Sequence, residues 1–225
     1  MPRENIILFL WSTLIAFPLL LGLYRIKKID IAFFPFIAIL ACGLLAECLR
    51  FFQIWLYFNQ GVKTNFIIYN VYILVIAFLY LQLFYNWGTI GTKKWVLYFI
   101  WGLLFAVWLL DHVLLGPQRI FILTAIFRMT YSSLLCLLAI HQINRLIVNE
   151  KQSLLKNPKF LICISVLLFF VLYIIQESVI LFDPKISKAF FKAIFIIRSR
   201  ISTFIYLLFF LAILWIPPKK IFIQL

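Results

Sequence analysis

Apolar residues along the chain fall into seven long runs, separated by shorter stretches that contain most of the charged residues. A run of about 20 apolar residues is long enough for an α-helix to cross a hydrocarbon core of about 30 Å. We therefore predict an all-α fold, a polytopic membrane helical bundle with about seven transmembrane helices in a single domain over residues 1–225. The predicted spans are residues 6–24, 31–50, 66–85, 95–115, 120–140, 160–181 and 201–216.

The first run differs from a secretory signal peptide because it is long and continues into Gly22-Leu23-Tyr24-Arg25. We expect it to be retained as a membrane span. Pro18 and Pro35 lie inside the first and second predicted spans. Each proline removes a backbone hydrogen bond, so we expect each to kink its helix.

The composition is that of a membrane protein, with 66% hydrophobic and 12% charged residues and a mean hydropathy of +1.10. A soluble fold of this size could not bury so much apolar surface, so lipid must cover the remainder. The net charge of +14 does not indicate nucleic acid, because Lys and Arg are scattered near the ends of the apolar runs. We expect membrane lipids with anionic headgroups as partners and no nucleic acid.

The distribution of Lys and Arg between alternate connections predicts the orientation. One side has eleven, whereas the other has four plus five more in the connection before the last span. That connection, residues 185–200, places Lys185, Lys188 and Lys192 on one helical face, as an interfacial helix would. If the five basic residues of this connection are not counted, the two sides carry eleven and four Lys and Arg residues. The positive-inside bias then predicts an inner-membrane protein whose N-terminus is outside and whose C-terminus is cytoplasmic. Trp87, Trp95 and Trp215 then lie near the inner boundary and are predicted to anchor there.

Ionisable residues inside the spans are the best functional clue, because each costs at least about 2.5–3.5 kcal/mol at the bilayer centre. The second, fourth and sixth spans each carry one carboxylate in the predicted outer half: Glu47, Asp111 and Glu177. His112 follows Asp111, and Arg128 lies in the outer half of the fifth span. These five residues predict an outward-facing polar cluster that binds a ligand.

Two other interpretations of the same residues stay open. Inward-facing charges in a helical bundle often pair only to satisfy one another. Carboxylates at similar depth can also relay protons or ions. The first interpretation predicts that neutralising Glu47, Asp111 or Glu177 prevents folding, whereas a binding site predicts folded but inactive variants.

Several chemistries are disfavoured by what the spans contain. The last span has no lysine that could form a retinal Schiff base, and His112 and His141 lie near opposite ends of their spans, too far apart to share a haem or a zinc ion. The four cysteines do not show metal-ligand spacing, and neither a GxSxG motif nor a Gly-rich phosphate loop occurs. We therefore predict no enzyme activity, no cofactor and no metal.

A small-solute transporter is the second interpretation. Many transporters contain two repeated halves with the substrate at the bilayer midplane. Here the first two spans contain prolines and the fifth and sixth do not, so the halves are not alike. A structural subunit of a membrane complex is the third interpretation.

Three stretches of the chain carry a resemblance to a known family: NVYILVIAFLYLQLFYNWG, LIVNEKQSLLKNPKFLICISVLLFFVLYIIQESV and IYLLFFLAILWIPPKK. With the span layout, they resemble an uncharacterised family of bacterial seven-transmembrane proteins of about this length. The similarity is highest at Asn70, Asn157-Pro158 and Trp215-Ile216-Pro217. The chain departs from the family pattern at Ala77, where the third span often has a carboxylate.

The resemblance implies a role in sensing or signalling, because such proteins are often encoded beside sensor histidine kinases or response regulators. We therefore expect a non-enzymatic receptor or signalling-partner module. Residues 141–159, HQINRLIVNEKQSLLKNPK, are predicted to contact a membrane or cytoplasmic signalling protein. The alternative for this segment is a basic loop that binds only lipid headgroups.

Overall fold

The computed structural model describes residues 11, 13–56, 65–113, 125–149, 153–182 and 188–218. This part of the chain is 89% helical, without strands, and contains seven α-helices. They are α1 (Ala16–Arg25), α2 (Phe34–Leu56), α3 (Asn65–Asn86), α4 (Lys94–Val113), α5 (Ala125–Asn149), α6 (Pro158–Phe182) and α7 (Lys188–Trp215). The predicted all-α class is thus confirmed over these ranges.

Five helices contain a stretch that is long and apolar enough to cross a membrane. These stretches are Ile31–Leu49, Lys94–Asp111, Ile126–Asn149, Pro158–Val179 and Ile196–Trp215. Two further apolar stretches, Thr13–Arg25 and Asn70–Asn86, are shorter. The described helices are compatible with a multi-pass membrane protein.

Packing between helices follows a closed ring in chain order. Each helix packs against the next one in sequence, and α1 packs against α7 to close the ring, while α3 also contacts α5. The most extensive packing is between α5 and α6. Because consecutive helices are antiparallel, α1, α3, α5 and α7 all finish at one end, called here the Arg25 end, and the opposite end is called the Glu177 end.

Arg25 joins the first helix to the last at the Arg25 end. Its guanidinium donates hydrogen bonds to the carbonyls of Ile213, Leu214 (2.7 Å) and Ile216 (3.3 Å). The last four carbonyls of a helix have no partner within the helix, and a cation there also interacts favourably with the helix dipole. A β-bridge between Ile29 and Pro218 lies beside this contact.

The α3–α4 turn is held against α5 at the same end. Gly88 has a φ of +73°, a conformation that glycine adopts without steric cost, and its carbonyl accepts a 2.6 Å hydrogen bond from Arg145. The Thr89 hydroxyl donates to Gln142 Oε1 at 2.7 Å, with both side chains buried. These two contacts hold the turn after α3 against the second half of α5.

Helix α6 begins at the Asn157-Pro158 pair for a local reason. The Asn157 side-chain oxygen accepts hydrogen bonds from the backbone N–H groups of Lys159 (2.9 Å) and Phe160 (3.4 Å). Asn is a preferred N-cap, and proline suits the first helical position because its missing N–H has no helical partner there. The pair therefore marks a helix start.

The structure corrects the prediction of a separate interfacial helix over residues 185–200. The part from Lys188 onwards belongs to α7, which runs to Trp215 as one 28-residue helix. Helix α5 also continues nine residues past the predicted span end, from position 140 to Asn149. Backbone hydrogen bonding propagates through polar residues, so a helix does not stop where its apolar run stops.

The predicted kinks at the two prolines are wrong in position. Pro18 and Pro35 lie in the first turns of α1 and α2, each directly after a 3₁₀ turn, Thr13–Ile15 or Ile31–Phe33. The first turn of a helix contains N–H groups without intrahelical partners, so proline is tolerated there. Both prolines mark helix starts.

Trp87 is a second correction, because it is buried instead of lying at the membrane surface. It is 6% exposed, its ring packs on Phe33 and Phe84, and Lys159 lies over it. Trp95, by contrast, is 64% exposed. Helix α4, which carries Trp95, has 17% of its apolar stretch buried, the smallest share among the five long apolar stretches of the described residues.

Candidate functional site

A buried ion pair lies between α5 and α6 at the Glu177 end. Arg128 Nη2 donates to Glu177 Oε2 at 2.6 Å, and the two side chains are 5% and 0% exposed. Taking two charges out of water is costly, and their attraction repays this only with good geometry and further hydrogen bonds. Each charge therefore depends on the other to stay in the bundle.

Asp111 lies beside this pair through the start of α5. Its Oδ2 accepts a 2.9 Å hydrogen bond from the backbone N–H of Phe127, the residue before Arg128. Phe127 is the third residue of α5, so its N–H has no intrahelical acceptor. The carboxylate of α4 thus caps α5, where the helix dipole also favours negative charge.

The remaining helices join the same layer through further polar contacts. Trp108, one turn before Asp111, donates from Nε1 to the backbone carbonyl of Asn70 on α3 at 3.2 Å. On the other side, Arg198 of α7 donates to Gln176 Oε1 at 3.2 Å. The guanidinium of Arg198 also lies 5.3 Å from the centroid of the Tyr173 ring. A polar layer therefore runs from α3 to α7.

The structure brings together three of the five predicted site residues. Arg128 and Glu177 are in direct contact, and Asp111 is joined to them through Phe127. Glu47 is half-buried in α2, a helix that packs mainly against α1 and α3, so it lies in a different sector of the ring. The backbone of His112 continues α4, and its side chain is outside the described part of the structure.

One oxygen of the ion pair lacks a donor. Glu177 Oε1 is fully buried, and no hydrogen-bond donor from the described residues reaches it. Ser132, one turn along α5 from Arg128, is also fully buried. Its hydroxyl interacts with the neighbouring Tyr131 hydroxyl, and no other polar group of the described residues reaches it. Buried polar atoms without a partner are uncommon, so Glu177 Oε1 marks a polar position inside the bundle.

Aromatic rings adjoin this position and were missed from the sequence alone. The Phe170 ring packs edge-on against Tyr80 and Tyr131, with centroids 5.6 and 5.5 Å away, and lies 6.3 Å from Tyr173. Phe170, Tyr173 and Glu177 are spaced three and four residues apart, which places them on one helical face. That spacing could have predicted from the sequence that the two aromatic rings lie on the same face of α6 as Glu177.

Metal-ligating side chains are not clustered in the described ranges: no three of His, Cys, Asp or Glu lie close enough together to hold an ion. Comparison of the chain with models of protein families, with curated proteins and with solved structures finds no match. The resemblance to bacterial seven-transmembrane proteins therefore stays a prediction.

Proposed function

We propose that the chain is a non-enzymatic membrane module with seven spans, which senses a ligand at the Glu177 end and contacts a signalling protein at the Arg25 end. The single observation that carries this proposal is the buried Arg128–Glu177 pair, in which no donor from the described part of the chain reaches one carboxylate oxygen. Charged residues inside a membrane bundle are costly and commonly mark a functional site. The second carboxylate oxygen of Glu177 is chemically able to accept one more hydrogen bond.

The arrangement of the helices supports seven spans. The five long apolar stretches and the two shorter ones occur in seven helices that close into one ring. A ring in chain order is the simplest arrangement for seven consecutive antiparallel crossings with short connections. The proposed orientation keeps the Glu177 end outside, and a tag on the C-terminus that is protected in intact cells but accessible in opened cells agrees with it.

The Arg25 end offers a surface for the partner. The last turn of α5 exposes Ile147 (56%) and Val148 (81%), beyond the predicted span end, and the following 3₁₀ turn exposes Leu155 (65%). Arg145 and Lys156 lie within a few residues of them. An apolar surface with a basic surround suits an amphipathic segment with acidic residues.

Photocrosslinking tests this proposal. A photoreactive residue in place of the exposed Asn149 is expected to capture a second protein in membranes. The double variant Arg128→Gln/Glu177→Gln, which neutralises the ion pair, is expected to change the amount of protein captured. The control variant Ile175→Val, at an exposed position of α6, is expected to leave it unchanged. Capture of lipid alone from Asn149 contradicts the proposal.

A small-solute transporter is the second candidate, favoured by the same ion pair because buried charges also occur along substrate pathways. Transport predicts that vesicles containing the purified protein accumulate a solute. Transport also predicts that Arg128→Gln/Glu177→Gln abolishes solute accumulation but does not alter the crosslinking of a protein to position 149.

A further inference from the structure

The side chains that α5 exposes repeat at a regular spacing along the helix, separated alternately by four and three residues. They are Ile126, Thr130, Ser133, Leu137, Ile140, Asn144 and Ile147, called here the α5 seam. The further exposed residues His141, Val148 and Asn149 all lie past the predicted span end. A mean spacing of 3.5 residues is the repeat at which two helices pack as a coiled coil. The α5 seam is therefore a narrow stripe with the spacing that a second helix needs.

Polar side chains interrupt the α5 seam inside the predicted span. The Thr130 hydroxyl donates to the Ile126 carbonyl at 2.9 Å, within its own helix. Ser133 is exposed, and no hydrogen bond from the described residues occupies its hydroxyl. Lipid tails offer neither donor nor acceptor, whereas small polar side chains in membrane helices commonly hydrogen-bond to a neighbouring helix. Ser133 therefore favours a protein neighbour over lipid.

The other long apolar stretches present a different surface. Among the residues whose burial the structure describes, these four stretches expose no Ser, Thr or Asn. From Phe99 to Leu110, α4 exposes only Phe, Leu, Gly and Ala. Lipid tails can cover such a face without leaving a polar group unpaired. The face of α5 therefore differs from that of α4 in its chemistry as well as in its width.

A second copy of the chain complements the α5 seam. All copies insert with one orientation, so a two-fold axis along the membrane normal makes two α5 helices parallel, and each seam residue faces its own counterpart. A serine hydroxyl and an asparagine amide each donate and accept, so both Ser133 and Asn144 can pair with themselves. The α5 seam contains no charged residue despite the net charge of +14, and the nearby Arg145 is bonded to Gly88 of its own chain. Two copies therefore meet there without bringing like charges together.

We propose that the chain forms a parallel dimer through the α5 seam, α5 against α5. Ile147 follows Asn144 after three residues, which is the spacing from position a to position d of a heptad. Asn at a single a position fixes the register and the number of helices in a parallel coiled coil. The α5 seam includes neither Arg128 nor Glu177, so this inference goes beyond the proposed sensing role and does not depend on it.

Cysteine crosslinking in membranes tests the inference. Two differently tagged forms of the full chain are co-expressed, and a disulfide joins them only where Cα atoms approach within about 7 Å. Leu137→Cys and Ile140→Cys are expected to give a covalent dimer with both tags after oxidation with copper phenanthroline. Tyr98→Cys, at an exposed position of α4, and the original chain, whose cysteines are buried or half-buried, are expected not to. Equal crosslinking from Tyr98→Cys overturns the inference.

Substitutions at exposed positions locate the contact without changing the buried core. Ser133→Trp places a bulky side chain between the two α5 helices and is expected to abolish fluorescence energy transfer between labelled copies in dilute liposomes. Leu103→Trp, at an exposed position of α4, is expected to leave the transfer unchanged. Asn144→Ala removes a hydrogen bond between helices and is expected to weaken association about threefold. Energy transfer that survives Ser133→Trp overturns the assignment to the α5 seam.

The outcomes separate the dimer from the proposed function. Crosslinking along the α5 seam, with no different protein captured from Asn149, keeps the dimer and removes the signalling role. Capture of a different protein from Asn149, without crosslinking along the α5 seam, keeps the signalling role and removes the dimer.

Discussion

Arg128 and Glu177 are the residues whose energetics depend most on each other. Either charge without the other remains buried, since the two side chains are 5% and 0% exposed, and such a charge is far more costly than a missing contact. The pair differs from the other predicted acid in the same layer, because Asp111 is occupied by the first turn of α5. Asp111 therefore stabilises the start of α5, whereas Glu177 neutralises the buried charge of Arg128.

Removing one member of the pair is expected to destabilise the protein more than removing both. Glu177→Gln or Arg128→Gln each leaves a buried unpaired group, with an expected loss of about 3–5 kcal/mol. Arg128→Met/Glu177→Leu, which replaces both by apolar groups, is expected to recover most of that loss. Unfolding of each purified variant in mixed micelles measures this coupling. Additive losses in the double variant contradict a tight buried pair.

The sequence predicts the depth of these residues but not their direction around the bundle. The sequence predicts similar depth for the three carboxylates and the same outer half for Arg128, and Asp111, Arg128 and Glu177 lie in one layer. Glu47 has the same predicted depth but lies in the sector of α1 to α3. Direction depends on which helices pack together, and nearly uniform apolar faces do not encode it.

At the scale of elements, α7 is the helix whose boundaries depart most from the apolar pattern. The pattern predicts a 16-residue span, 201–216, whereas the helix starts at Lys188. Arg198 lies inside this continuous helix, and its contacts to Gln176 and Tyr173 connect α7 to α6. The continuity of the first part of α7 therefore determines where Arg198 is held.

Proline substitution tests this continuity. Ile196→Pro removes a hydrogen bond in the interior of α7 and is expected to cost about 3 kcal/mol. Ala189→Pro is the matched control, because the second residue of a helix has an N–H without a helical partner. Unfolding measurements that find both variants equally stable would indicate a break between the first part of α7 and the last span.

The positions on which the resemblance rests start a helix or contact a neighbouring helix. Asn157-Pro158 starts α6, and the Asn70 carbonyl accepts the Trp108 indole N–H. The ending Trp215-Ile216-Pro217 supplies a carbonyl to Arg25. Helix starts of this kind are readable from sequence, because Asn and Pro have strong positional preferences. Contacts to backbone carbonyls are not, because any residue type supplies one.

On the scale of the whole molecule, the ring closes at the contact between α1 and α7. Arg25 supplies three hydrogen bonds to that contact, all to backbone carbonyls of residues 213, 214 and 216. The sequence predicts seven helices and their antiparallel order, but it counts Arg25 only as one of the basic residues that set orientation. The contact between α1 and α7 joins residues far apart in the sequence. Its acceptors are backbone carbonyls, so no residue pattern in the sequence predicts it.

Loss of Arg25 is expected to open the ring. Arg25→Gln removes hydrogen bonds from a charged donor, each worth about 1.5–3 kcal/mol. Lys28→Gln is the matched control, since it removes one charge from an exposed position at the same end. Spin labels at Tyr24 and Leu214, both exposed, are expected to show a broader distance distribution only in Arg25→Gln. An unchanged distribution would mean that other contacts suffice.

Helix α7 is longer than the hydrocarbon core of a bilayer is thick. Its 28 residues extend about 42 Å, against a hydrocarbon core of about 30 Å. Its apolar stretch, Ile196–Trp215, is about 30 Å long and matches that core, so the preceding turns from Lys188 are expected to lie in the headgroup layer. Arg198 joins this helix to Gln176, the neighbour of Glu177. A change in lipid-tail length that tilts α7 is therefore expected to shift the contact of Arg198 with the residue next to Glu177.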